Sequence, residues 1–299
     1  MKELIEKIVD QTGCRILTLT GGEPYLRDDI VELMRHVKKQ GVSLNVITNG
    51  TLLDGDLIRH SIDAGVTLFE IQLPATERDV VRGLMGRDVY DTIVEGISRI
   101  KRLDGLVVVA FVATRRNIHD LRTVVELCCA LGVDGMMFNR FNPGGEGAHH
   151  VAELSIEPAV LREALASLDA WSLEYRLPTS CSIAMPPCFF DHEQYPNLSF
   201  GFCSAGREGA YYTIDPLGNV RMCNHSPTIL GNMGKESFRS ITRPSRTRFF
   251  TEAICPACRP CSIAETCQGG CKAAAESCTG SLLDTDPYVE LFMNERRMP

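Results

Sequence analysis

The chain has 299 residues, enough for one barrel-sized domain and a small appendage, and 44% of them are apolar, which supports a real core and argues against a disordered chain. With 31 basic against 38 acidic residues the net charge is −7 and the pI is near 5.6, so no nucleic-acid footprint is expected. No apolar run approaches the ~18 residues of a membrane span, and residues 1–30 lack the basic stretch, apolar core and small-residue cleavage site of an export signal; a cytoplasmic protein with reduced thiols is therefore expected.

Short apolar runs then alternate with amphipathic stretches. Arg15-Ile-Leu-Thr-Leu-Thr20 reads as a buried strand, and Asp28 to Gln40 as a helix with apolar residues at 30, 31, 33, 34 and 37, closed by Gly41. Val42 to Thr48 is the next strand, Asp54 to Ala64 a helix, Val66 to Leu73 a strand, Tyr90 to Lys101 a helix and Leu106 to Thr114 a valine-rich strand. Ile118 to Leu131 reads as a helix ended by Gly132, and Gly135 to Phe141 as a fifth strand. Repeated β-α units demand parallel strands with helices outside, in an open sheet or a barrel. Pro143-Gly-Gly-Glu-Gly147 breaks the rhythm; Glu157 to Tyr175 is one helix with Pro158 in its first turn. Beyond it, Tyr211 to Ile214 and Asn219 to Met222 flank an Asp215-Pro-Leu-Gly218 turn, a hairpin that carries Cys223. The region from about 178 to 280 has few long apolar helices, so a metal is expected to supply much of its stability.

Ten of the thirteen cysteines lie at or after residue 181. Cys203 is followed by fourteen residues, Gly218, four residues and Cys223; then come Cys258-x2-Cys261-x5-Cys267-x3-Cys271 and, six residues on, Cys278. Seven thiolates are too many for one tetrahedral ion and suit two iron–sulfur cubanes of four ligands each. A zinc ribbon is the main alternative, since Cys258/Cys261 match half of one, but the x5 and x3 gaps and Gly269-Gly270 fit it poorly. Disulfides would call for an exported chain.

Two further segments lie where parallel strands end, which is the ligand face of such folds. Gly21-Gly22-Glu23-Pro24 pairs glycines that let backbone approach a ligand with a carboxylate for a cation or amine, and Thr48-Asn49-Gly50 ends the second strand on the same face. Taken alone, each is as well explained by an ordinary turn.

Together, Leu17-Thr-Leu-Thr-Gly-Gly-Glu-Pro24, Val46-Ile-Thr-Asn-Gly50 and the cysteine series resemble the radical S-adenosylmethionine (SAM) enzymes that carry a C-terminal SPASM domain. The resemblance covers roughly residues 1 to 285 and is weakest between 145 and 200. It implies an α/β fold: a partial parallel (β/α) barrel, N-terminally incomplete, over 1–145, a linker and helix over 146–180, a small Cys-rich SPASM domain over 181–285 and a tail over 286–299. It implies SAM as cofactor, with Gly21, Gly22 and Glu23 holding its methionyl amine and Pro24 and Asn49 beside them. It further implies two auxiliary 4Fe-4S clusters, one on Cys203, Cys223 and Cys271, the other on Cys258, Cys261, Cys267 and Cys278. The first then lacks a fourth protein ligand; Cys188 and Cys255 are the candidates, or the position is open, and a free buried thiol is the plain alternative for Cys188. In intact relatives a reduced cluster passes an electron to the sulfonium and a 5′-deoxyadenosyl radical takes hydrogen from the substrate. A peptide or protein substrate is favoured over a tetrapyrrole, with a flavodoxin- or ferredoxin-type electron donor.

Three departures qualify this. The family's Cys-x3-Cys-x2-Cys, holder of the third cluster, is absent and only Cys14 precedes Gly21, so an N-terminally shortened chain is expected, the third cluster belonging to a full-length form. Ile71-Gln72-Leu73-Pro74-Ala75 replaces the Ser-Leu-Asp-Gly that commonly ends the fourth family strand, and Asn224 stands where sulfatase-maturating members carry an acidic base. A non-catalytic iron–sulfur protein is the competing reading. Cys128-Cys129 and Trp171 read as core, His149-His150 as a solvated loop, and His225 as a neighbour of the first cluster.

Overall fold

A computed structural model describes residues 1–206 and 210–295; of the expected 286–299 tail, 296–299 lie outside the described residues. The chain divides into two compact units: unit 1 comprises Met1–Asn139 and Ser167–Ser180, unit 2 comprises Arg140–Ala166 and Cys181–Pro299.

Unit 1 is built from β-α repeats: α1 (Lys2–Thr12), β1 (Ile16–Leu19), α2 (Ile30–Lys39), β2 (Ser43–Thr48), α3 (Gly55–Asp63), β3 (Val66–Gln72), α4 (Arg78–Met85), α5 (Tyr90–Arg102), β4 (Leu106–Ala113), α6 (Leu121–Leu131) and β5 (Gly135–Arg140). The strands follow one another in the sheet in chain order, and β1-β2, β2-β3 and β3-β4 are parallel pairs. Alternation along each strand decides the two faces. Leu44, Val46, Phe69, Ile71, Val107, Val109, Phe111 and Phe138 are fully buried, as are Met34, Val37, Ile58, Ile93, Ile97, Ile100, Val124 and Val125 of the helices. Each such side chain contributes roughly 1.5–3 kcal/mol on burial. The alternate residues Asn45, Ile47, Leu68, Glu70 and Val108 are half-buried.

Two sequence expectations change. The first strand is not buried: among the described residues β1 pairs only with β2, and Ile16 at this edge is 59% exposed. A sixth parallel strand, β6 (Thr179–Cys181), pairs with β5 through Met136–Thr179 and Met137–Ser180; at three residues it is too short to read from a periodicity. The other elements agree with the sequence within one or two residues at their ends, although Ile118–Asp120 is a 3-10 turn leading into α6. Trp171 is half-buried with Arg122 stacked on its ring, and Cys128 is fully buried.

Unit 2 is made of short pieces. It contains α7 (Val151–Leu154), the start of α8 (Pro158–Glu174), β7 (Leu198–Phe200), a hairpin of β8 (Thr213–Ile214) and β9 (Asn219–Arg221), and β10 (Ile229–Asn232) antiparallel to β9. The hairpin turn is set by Asp215, whose carboxylate accepts the amides of Leu217 and Asn219, each at 3.0 Å. Then follow α9 (Phe238–Ile241), α10 (Pro244–Thr251), α11 (Ala264–Cys267), α12 (Lys272–Thr279) and α13 (Pro287–Glu295). Among the described residues no helix is long and apolar enough to cross a membrane.

Candidate cofactor site and thiol sets

In unit 1, the segment after β1 and the end of β2 meet through one carboxylate. Glu23 is buried, and it accepts the Thr48 hydroxyl at 2.8 and 2.9 Å, the Asn49 amide at 2.8 Å and the Tyr25 amide at 3.1 Å. A solvated turn glutamate is thereby ruled out. Tyr25 is pinned from the other side by its hydroxyl, which donates to Ser61 Oγ at 3.1 Å, and burial pushes that phenol up to about 12. Asn49 carries the turn onward: its side-chain oxygen accepts Thr51 N at 2.9 Å and Thr51 Oγ1 at 2.7 Å. Gly50 follows with φ +74°, and a Cβ there would stand 3.0 Å from Ile71 and 3.3 Å from Ile93, so both backbone and packing demand glycine. Gly21, whose φ of +158° also favours glycine, and Gly22 differ in packing. They are exposed, and a Cβ on either would meet nothing within 4 Å. Since no internal packing calls for their smallness, the free backbone is available to a ligand. Pro24 starts the 3-10 turn that Glu23 caps.

In unit 2, eight of the ten cysteines gather in two sets. Cys203 and Cys223 pack against the buried Ala205, Met222 and Phe250, and Cys223 is an electrostatic neighbour of both Cys203 and Cys271. Burial pushes the Cys271 thiol up to about 12, with the Asp286 carboxylate adding to it. The second set surrounds Gly269: the position of its missing Cβ lies 3.5 Å from Cys255 Sγ and from Cys258 Sγ. Cys188, Cys258, Cys261 and Cys267 line one cavity. Burial, reinforced by Cys255, pushes Cys258 up to about 12. Cys278 is held above its usual value by burial and by Asp286.

Cys188 and Cys255, considered for the first set, therefore stand with the second. The reason for Cys255 is local: the 3-10 turn Pro256–Cys258, with Cys258 N donating to Cys255 O at 2.9 Å, folds the two thiols to one side. Among the described residues no three donors crowd one point as a single tetrahedral ion requires. The fit to metal rests instead on donor chemistry, because grouped soft thiols that lose protons on binding suit iron–sulfur clusters.

Sequence reasoning missed the groups between the sets. Arg140 and Asp286 form a buried ion pair, and Lys272, also buried, donates to the carbonyls of Phe250 (2.7 Å) and Thr251 (3.0 Å). Glu276, a neighbour of Cys223, accepts the hydroxyls of Ser226 and Thr228. His225 donates its backbone N–H toward Cys223 Sγ at 3.4 Å, and burial with nearby Arg140 holds its imidazole below the usual value. Of these, His225 alone was marked by the sequence, through its place two residues after Cys223; the others sit in no spacing pattern. His149 and His150 are exposed, and His150 pairs with Glu153 at 3.1 Å.

Comparison with known proteins agrees with this architecture. The family profile of the Radical SAM superfamily matches residues 1–128, and that of the SPASM iron–sulfur cluster-binding domain matches residues 203–262. The two matched regions of the chain are thus similar to the radical SAM–SPASM proteins. This family implies iron–sulfur clusters and SAM. The chain is 24% identical over 306 residues to an AdoMet-dependent heme synthase of Methanosarcina barkeri, covering 96% of this chain and 85% of that one. It is 26% identical over 304 residues to a PqqA peptide cyclase of Bradyrhizobium diazoefficiens, covering 97% and 77%. Among solved structures, Streptococcus suis SuiB bound to its precursor peptide SuiA superposes with a TM-score of 0.74 at 16% identity, covering 96% of this chain and 68% of that chain. Native anSMEcpe with bound AdoMet gives 0.70 at 15%, covering 98% and 84%. At such identities the superpositions establish the fold.

Proposed function

We propose that this radical SAM–SPASM chain is a maturase-type protein that modifies a peptide or protein, holds two auxiliary 4Fe-4S clusters and takes electrons from a flavodoxin- or ferredoxin-type donor. The observation that carries it is the division of the SPASM thiols into two sets, together with a fixed carboxylate and bare glycine backbone at the strand ends of unit 1. Cys203, Cys223 and Cys271 would hold one cluster; Cys258, Cys261, Cys267 and Cys278 the other, with Cys188 and Cys255 close enough to that second site to compete for it. When bound, the clusters supply one-electron transfer.

The residues of the chain do the rest. Glu23, oriented by Thr48, Asn49 and Tyr25, offers a fixed negative charge to the amine of SAM, while Gly21 and Gly22 leave room for it. Arg140 and Lys272 supply positive charge beside the first thiol set. The peptide substrate is favoured by the PqqA peptide cyclase relative and by SuiB, seen with its precursor peptide. A tetrapyrrole is kept as the lesser choice by the heme synthase relative.

A second reading is a non-catalytic iron–sulfur protein, which the grouped thiols of unit 2 would serve without the site of unit 1. One experiment separates them. Anaerobic reconstitution should load about eight irons and about eight sulfides per chain, and stoichiometric zinc without iron would sink both readings. Reduced with dithionite and given SAM, this chain should form no 5′-deoxyadenosine, whereas a version extended upstream with the cysteine triad should. Product from the short chain would mean that another cysteine set, Cys14 included, builds the radical site; none from the extended chain favours the electron-transfer reading.

A further inference from the structure

Unit 2 buries an ion pair that stability alone does not explain. Arg140 and Asp286 are each 1% exposed, and Arg140 Nη2 donates to Asp286 Oδ2 at 2.5 Å. Arg140 Nε donates to the Ala184 carbonyl at 3.0 Å, and the guanidinium lies 4.6 Å from the centre of the Tyr288 ring. Desolvating two charges costs several kcal/mol, and well-packed apolar residues in place of such a pair are often neutral or stabilising.

Position supplies a better reason. Asp286 Oδ2 also accepts the backbone N–H of Cys271 at 2.7 Å, and Oδ1 accepts that of Tyr288 at 3.0 Å. The carboxylate is thus hydrogen-bonded to the backbone of one ligand candidate and close enough in charge to act on Cys267 and Cys278 as well, whereas the Arg140 charge acts on Cys271 and His225. Room for this approach is made in the chain: Gly270 has φ +96°, and a Cβ there would stand 2.7 Å from Asp286 Oδ2. An iron–sulfur cluster gains negative charge on reduction, and its potential responds to nearby charge and hydrogen bonds, which are poorly screened in a buried site.

We propose that Arg140 and Asp286 are positioning residues that set the reduction potentials of the auxiliary clusters. Arg140 favours the reduced form at Cys203, Cys223 and Cys271, and Asp286 opposes reduction at both sites while fixing the backbone of Cys271. This rests on the cluster assignment proposed above.

The test is a redox titration, followed by electron paramagnetic resonance, of the reconstituted wild-type chain and of Arg140→Met, Arg140→Lys and Asp286→Asn. Cys223→Ala identifies the first cluster by loss of its signal. Arg140→Met should make that cluster at least tenfold harder to reduce, a negative shift of about 59 mV for one electron, and move the second less. Asp286→Asn should move both the opposite way, and Arg140→Lys should return the first to within about threefold of wild type, because the charge is kept. Shifts of one sign in all variants, or none, would overturn the proposal. Should Arg140→Met lose the cluster outright, the Lys and Asn variants decide it by the same signs. Iron uptake with unmoved potentials removes this inference alone; a wild-type chain that takes up no iron removes the cluster assignment and the inference with it.

Discussion

Units 1 and 2 hold their polar groups in place by different means. In unit 1 the Glu23 carboxylate is closed by three donors of its own chain and stands on a sheet whose aliphatic core is complete. In unit 2 the strands β8, β9 and β10 have two, three and four residues, and the core around the first thiol set is Ala205, Met222 and Phe250. Its buried thiols are neutral until something takes their protons. The site of unit 1 is thus formed by folding, whereas that of unit 2 would be finished by the clusters proposed for it.

The largest effect that can break this comparison is removal of metal. Structural metal contributes on the order of 10 kcal/mol to small domains it holds together, so the iron-free chain should keep slow amide exchange in β2, β3 and β4 and lose it across 185–285. Cys258→Ala and Cys267→Ala should each remove about four irons, leave the other cluster and expose only part of that region. Equal protection in both units without iron would erase the contrast.

Legibility followed the same line. The β-α repeats of unit 1 are set by helix and strand periods, so β2 through β5 could be read to within a residue or two, and the ligand face followed from where the strands end. The length of β1's apolar run suggested burial, but burial of an edge strand depends on what flanks it, which no local pattern records. In unit 2 the cysteine spacing carried the family, because ligand geometry constrains spacing. It could not reveal that Cys255 folds back onto Cys258, nor that Arg140 finds Asp286 across 146 positions of sequence. β10 escaped for a similar reason, since Ile229–Asn232 alternates too briefly to stand out.

A middle-sized effect sharpens the unit 1 side. Glu23→Ala leaves the Tyr25 and Asn49 amides and the Thr48 hydroxyl without their acceptor, at about 1–3 kcal/mol for each group that stays buried and unpaired. Urea unfolding should register this, with Glu23→Gln losing less, while SAM binding by equilibrium dialysis falls for both. Gly22→Ala should divide the two readouts: stability within about 0.5 kcal/mol of wild type, since the added methyl meets nothing, but weaker SAM binding. Unchanged binding in Gly22→Ala would detach the Gly-Gly pair from the cofactor.

The smallest effect uses a buried thiol that belongs to unit 1 and to no set. Cys128 is fully buried on α6, and burial, with a lesser contribution from Cys129, pushes it up to about 12 from an ordinary 9.0. The folded chain therefore keeps a proton that the unfolded chain has lost between those values, so stability is intact below about pH 9 and falls as pH rises toward 12. At pH 10 the loss from this one group should be about 1 kcal/mol. Cys128→Ala costs a small packing term at every pH, yet its deficit relative to wild type should narrow by that amount between pH 8 and pH 10. Thiols bound to iron have already given up their protons, so the alkaline fall due to Cys128 should persist in the iron-loaded chain while the part due to unit 2 disappears. A deficit that stays constant with pH would mean that the Cys128 thiol is ionised as easily in the folded chain as in the unfolded one.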